Sequence, residues 1–114
     1  MGMPYRYRGR DVESSFALAY GRSGRVQIEL IQPIDGEGLT HEFLAEHGPG
    51  AHHLGFLVDA VDEEVAFATG CGLEVAMSGH IDTLYFAYLD TFSELGVYVE
   101  VVEDPDGLIA QLTP

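Results

Sequence analysis

The chain has no lysine, a single cysteine and no long hydrophobic run, and each shortage removes a class of function. One cysteine, Cys71, cannot form an intramolecular disulfide, which fits a reducing, cytoplasmic setting. Nothing near Cys71 in sequence would lower its pKa, so a small buried thiol is expected. No apolar stretch approaches the roughly 18 residues that a membrane span needs. The opening MGMPYRYRGR lacks the hydrophobic segment of a signal peptide. Positive charge is confined to five arginines, four of them within the first 22 positions, against 19 acidic residues and a formal net charge of −14. Such a chain repels phosphate backbones, which argues against nucleic-acid binding. Its acidity suits either a solvated surface or a pocket that draws divalent cations.

What is present is a repeat. Residues 25–36 read RVQIELIQPIDG and residues 96–107 read GVYVEVVEDPDG. At a fixed offset Val26 falls on Val97, Ile28 on Val99, Glu29 on Glu100 and Gly36 on Gly107. Upstream, FALAY from Phe16 matches FAYLD from Phe86, one residue out of step. Two strand pairs, each with one glutamate among apolar neighbours, imply two similar units side by side. A carboxylate is costly to bury in a strand unless it is paired, hydrogen-bonded or bound to a cation. The repeat therefore points to a shared site. At 114 residues, with 46% hydrophobic and 11% aromatic content, the chain suits one folded domain with a modest core.

Local patterns give the element order. Tyr5–Arg10 reads as a strand end or loop. Ser14–Tyr20 and Arg25–Gln32 alternate as strands, with GRSG as a hairpin turn and Pro33, Gly36 and Gly38 ending the second. Thr40–Glu46 reads as a short helix capped by Thr40, stopped by the GPG at 48–50. His52–Val58 is a strand, and Asp59 opens a helix that Gly70 and Gly72 close, with Asp62 in capping-box style. Strands follow at Leu73–Met77, Leu84–Leu89 and Val97–Glu103. The order from residue 52 is thus β-α-β-β-β, and the 59–70 helix is expected on the convex side of a curved sheet.

Because strand side chains alternate faces, Gln27, Glu29 and Ile31 share one face, as do Tyr98, Glu100 and Val102. In the 52–58 strand, His53, Gly55 and Leu57 point one way, while His52, Leu54, Phe56 and Val58 point to a helix-covered side. Glu29, His53 and Glu100 can then meet in a concavity. One imidazole and two carboxylates suit Mn, Fe, Co, Ni or Zn. On spacing alone, polar residues that hydrogen-bond one another explain the pattern as well. His52 reads as a structural histidine and His80 as a loop residue able to touch a substrate.

The run GPGAHHLGFLVDAVDEEVAF, followed by SGH, FAYLDT and GVYVEVVE, resembles the second module of the vicinal oxygen chelate superfamily, which includes glyoxalases, bleomycin-resistance proteins, extradiol dioxygenases and methylmalonyl-CoA epimerases. QIELIQPIDGEG with EFL resembles the end of a first module in the epimerase-like branch. The resemblance implies an α+β fold of βαβββ modules forming a curved, mostly antiparallel cup. Residues 1–114 would make one such domain, with 1–36 a partial first module, 37–51 a linker and 52–107 a complete second module. It also implies a divalent metal held by Glu29, His53 and Glu100.

The family's opening β-α unit, which carries a fourth ligand in a motif such as HVG, has no counterpart before Tyr5. An exposed sheet edge and an uncovered apolar face follow, and with them a homodimer or higher oligomer. The resemblance implies a lyase or isomerase acting on a small carbonyl or thioester by enolate stabilisation, with Glu13, near Val12–Phe16, and Glu100 as proton-moving carboxylates. The absence of lysine, and of arginine after position 25, leaves no evident partner for a coenzyme A phosphate in the second half. The alternative is a metal-free small-molecule binder of the bleomycin-resistance type. Tyr85, Phe86, Tyr88 and Tyr98 would line its pocket or pack in the core.

Overall fold

Short β-branched and aromatic stretches with two-residue periodicity form seven strands, and their pairing order decides where the acidic residues meet. The computed structural model describes residues 3–114. The strands are β1 Met3–Tyr7, β2 Arg10–Ser23, β3 Val26–Gly36, β4 His53–Leu57, β5 Val75–Ile81, β6 Leu84–Leu89 and β7 Tyr98–Glu103. The helices are α1 Leu39–His47, α2 Val61–Gly70, α3 Phe92–Leu95 and α4 Leu108–Leu112. All seven strands join one α+β sheet in the order β3-β2-β1-β5-β6-β7-β4. Every pairing is antiparallel except that of β4 with β7, which the α2 crossover makes parallel.

The sheet curls into a half-barrel, so that β3 and β4 at its two ends approach each other and line one cleft. On its inner side Tyr5, Leu39, Met77, Phe86, Tyr88 and Val102 belong to the main core. On its outer side Val61 of α2 packs with Ala87 and Val101. The β4-α2-β5-β6-β7 order and the helix on the convex side match the sequence reading, as does the antiparallel β6–β7 pair.

Several local expectations are corrected. Tyr5–Arg10 is no loose end: β1 is an interior strand, bonded to β2 and β5, and Arg8 and Gly9 at positive φ make the tight turn into β2. Pro33 does not end β3, because β3 lies at the sheet edge where a missing N–H is tolerated. Gly38, not Thr40, caps α1. α2 starts at Val61 rather than Asp59, and its first N–H is taken by the Glu103 carboxylate on β7 at 3.0 Å. β5 runs through the expected loop to Ile81, so His80 is a strand residue, stacked on Tyr85 at 4.4 Å.

Cys71 follows α2 and is exposed, not buried. Leu54 and Phe56 are also exposed; α2 covers β6 and β7 and leaves the edge strand β4 bare. On the opposite edge, the outer face of β3 presents Val26 at 64% and Leu30 at 67% exposure, with Ile28 and Ile34 beside them.

The short α3 and α4 lie outside the expected elements. Asp104 caps α4 through both carboxylate oxygens, which accept the N–H groups of Leu108 and Ile109 at 2.8 and 3.0 Å. Ile109 then reaches the inner side of the sheet.

Gly36 ends β3 where Ser14 and Phe16 shift register, at φ +86°, and a Cβ there would lie 2.0 Å from the Glu13 carbonyl oxygen. Gly36→Ala is expected to lower stability by about 1–3 kcal/mol in urea unfolding. Gly21→Ala, in open space on β2, serves as the control and should leave the midpoint nearly unchanged.

Candidate metal centre

Glu29 sits in the middle of β3 and Glu100 in the middle of β7, each on the inward side of its strand. His53 begins β4, and its Nε2 lies 3.0 Å from Glu29 Oε1 and 3.4 Å from Glu100 Oε1. One donor atom from each of the three residues lies within 4.8 Å of the others. Parallel pairing places Gly55 beside Glu100, and a Cβ at Gly55 would stand 3.3 Å from Glu100 Oε1. The bare glycine keeps room around the carboxylate.

Each glutamate has a tyrosine opposite it on the neighbouring strand, Tyr20 across from Glu29 and Tyr88 across from Glu100. The Tyr20 hydroxyl donates to Glu29 Oε2 at 2.6 Å, leaving Oε1 turned toward His53. Burial and the adjacent carboxylates raise both phenol pKa values, so both tyrosines stay protonated donors. These pairs also correct the sequence overlay. Strand register makes Leu18, not Phe16, the equivalent of Phe86, because Leu18 stands opposite Ile31 and Phe86 opposite Val102. Tyr20 was legible only as one more residue on the Phe16, Leu18 face.

Burial pushes Glu100 up to about 7, against the pull of the His53 charge. For His53, burial opposes charge, but the hydrogen bond to Glu29 and the charges of both glutamates outweigh it and leave its pKa raised. His52 runs the other way: burial, then the neighbouring His53, push it down to about 4. His52 precedes β4, so strand alternation does not send it to the far face, and its Nδ1 lies 3.0 Å from His53 Nδ1.

The cavity in front of these groups holds about 190 Å³ and is lined by Phe16, Leu18, Ile31, Phe86 and Ile109 beside the polar set. Phe86 and Tyr88 line it, Tyr98 packs in the core against Phe92, and the Tyr85 hydroxyl reaches Asp62 of α2. His80 lies away from this cavity. Glu13 does too: it alternates with buried Val12 and Ser14, is exposed, and is absent from the lining. Among the described residues, the acids lining the cavity are Glu29 and Glu100.

Two carboxylate oxygens and one imidazole nitrogen, converging at the bottom of a concave, partly apolar pocket, are a donor set suited to a divalent transition metal and leave coordination positions open. A family model for the glyoxalase/bleomycin resistance protein/dioxygenase superfamily matches residues 1–88. The chain belongs to that superfamily. Solved structures share its fold. A hypothetical protein from Bacillus halodurans superposes with a TM-score of 0.60 at 23% identity, over 83% of this chain and 68% of the other. A Streptomyces coelicolor methylmalonyl-CoA epimerase variant, in complex with 2-nitronate-propionyl-CoA, gives 0.58 at 22%, over 83% and 69%. The Bacillus subtilis protein YqjC, itself uncharacterized, is 29% identical over 65 residues; that match covers 57% of this chain and 46% of YqjC, less than half its length.

The buried carboxylate carries a pH signature. A raised Glu100 contributes stability that is full below its unfolded value near 4.5 and is lost as pH rises through 7. His52, held neutral, contributes in the opposite sense in both the natural chain and a Glu100→Gln variant, while His53, whose pKa the Glu100 charge helps to raise, acts in the same sense as Glu100 and less so in that variant. In the presence of chelator, Glu100→Gln should therefore gain thermal stability relative to the natural chain as pH rises from 4.5 to 7. Parallel melting curves at both ends of that window would contradict the assignment.

Proposed function

We propose that this superfamily member is a metal-dependent lyase or isomerase for a small carbonyl or thioester substrate, with Glu29, His53 and Glu100 holding the ion. The observation that carries the reading is the convergence of three donor atoms at the base of a cavity of small-molecule size. A divalent ion bound there supplies Lewis acidity toward a carbonyl oxygen.

The chain's own residues supply the rest. Tyr20 holds one oxygen of Glu29, so the other is presented to the centre. The apolar wall of Phe16, Leu18 and Phe86 excludes water from the substrate side. Glu100, the more deeply set of the two cavity carboxylates, is the one placed to take and return a substrate proton beside the ion. Glu13 has no part in this reading, because it faces away from the cavity. The epimerase neighbours, whose complexes contain coenzyme A esters, support a thioester as one substrate class.

A second reading, a metal-free small-molecule binder, is favoured by one observation: His53 already bridges both glutamates, so the cluster is electrostatically satisfied by itself. Elemental analysis of protein purified without a histidine tag separates the two. Near-stoichiometric metal, lost in His53→Ala, is expected; a natural chain that neither carries nor takes up Mn, Fe, Co, Ni or Zn supports the binder instead.

We also propose self-association through the outer face of β3. Residues 1–36 hold five arginines against Asp11, Glu13, Glu29 and Asp35, a net of +1, whereas residues 37–114 carry the other 15 acids and no lysine or arginine. The exposed Val26, Ile28, Leu30 and Ile34 thus form an apolar patch on the least acidic part of a strongly acidic chain. There two copies can meet with least repulsion. Sedimentation equilibrium should show a dimer or larger species at micromolar concentration, and Ile28→Glu with Leu30→Glu should shift it toward monomer. A wild-type monomer under those conditions would reject the interface.

A further inference from the structure

The pair His52–His53 divides into a ligand and the group that orients it. Strand alternation would put neighbouring residues on opposite faces. Here β4 begins only at His53; the His52 carbonyl still accepts the Tyr98 N–H of β7 at 3.0 Å, but the His52 ring turns back beside that of its neighbour, 5.1 Å away and nearly perpendicular. The two Nδ1 atoms are 3.0 Å apart, while His53 Nε2 faces Glu29 and Glu100. His52 is locked by aromatic rings: Phe43 at 5.1 Å, Tyr88 at 5.4 Å and Tyr98 at 5.2 Å. Its Nε2 is buried without a hydrogen-bond partner. The contact to His53 is therefore the one side-chain hydrogen bond its ring makes among the described residues.

We propose that His52 is the positioning residue for His53, accepting the Nδ1–H of His53 on its own Nδ1 and so presenting the bare His53 Nε2 to a metal ion. The inference rests on the metal reading above. An imidazole can give a lone pair from one nitrogen only when the proton sits on the other, and that proton needs an acceptor. On the Nδ1 side of His53 the acceptor is His52. The arrangement selects the His53 tautomer, sets the ring plane through the shared wall of Tyr88, and assigns His52 the complementary tautomer with its proton on the partnerless Nε2. Orientation of a ligand by a neighbour in this way is worth about 10- to 100-fold in metal affinity.

The test is cobalt and zinc titration of the full chain by calorimetry, with thermal unfolding recorded alongside. His52→Phe keeps a ring among Phe43, Tyr88 and Tyr98 but offers no acceptor; it should bind about 10- to 100-fold more weakly. His52→Gln, with a carbonyl acceptor, should recover part of that loss at a similar melting temperature. A His52→Phe variant that binds as tightly as the natural chain overturns the inference while leaving the metal site standing. Absence of binding by the natural chain overturns both. If His52→Phe does not fold, nitrogen NMR of the zinc-loaded natural chain decides: a protonated His53 Nδ1 coupled through its hydrogen bond to His52 Nδ1 is expected, and a His53 Nδ1 without a proton refutes the assignment.

Discussion

The contact on which the cup depends is the one between Glu29 and His53, because it joins the two ends of a sheet that no backbone hydrogen bond joins. β3 and β4 are the terminal strands, and each has a ladder partner on one side only. Their approach is a consequence of sheet curl, and the curl accumulates through five intervening strands. The 3.0 Å separation of the two side chains is therefore sensitive to every register between them. This explains the investment in fixing those registers: the Gly36 turn against Glu13, the shift between Ser14 and Phe16, and the second shift between Val75 and Met77. Strand-to-strand geometry and site geometry are one constraint here.

Within that frame the two halves are alike in their inner chemistry and unlike in their support. Each contributes one glutamate from the last strand of its unit, faced by a tyrosine on the strand before. The second half adds α2 across its outer face and α3 between β6 and β7, whereas the first half turns from β2 to β3 through a tight Gly24 hairpin. Helix α1 nevertheless ties the halves together. Arg8 grips the Glu42 carboxylate with two hydrogen bonds of 2.8 and 2.9 Å, and the Tyr7 hydroxyl donates to the same group. Glu42 is consequently held well on its charged side, chiefly by the Arg8 hydrogen bond. Leu39, fully buried, plugs the inner core from the start of that helix.

Much of this was legible in the sequence, for a physical reason. Strand alternation groups Glu29 with Gln27 and Ile31, and Glu100 with Tyr98 and Val102, so the two glutamates could be assigned to a concave face before any coordinates, though not to a metal rather than to hydrogen bonds. His53 followed from the same alternation. What failed were the places where side chains overrule local signals. Asp62 looked like a cap, but Glu103, 42 positions from Val61, does the capping. His52 looked like a far-side residue because a strand was assumed to start one position early. Glu13 attracted attention as a nearby acid, yet its parity relative to Val12 and Ser14 sends it outward. Helix α4 was missed because five residues carry little periodicity, although the first copy of the repeat is also followed by a helix shortly after its glycine.

The bare edges of β3 and β4 have a colloidal consequence. Unpaired strand edges flanked by Leu30, Leu54 and Phe56 are templates for uncontrolled sheet addition. The chain carries no lysine with which to blunt them. Long-range protection is uneven: the 15 acids of residues 37–114 repel a second copy at β4 over distances set by the Debye length, about 10 Å in 0.1 M salt and about 3 Å in 1 M, and do so least at β3. Ionic strength thereby acts as a control on how closely β4 edges come, and a rise in salt shortens the reach of that repulsion.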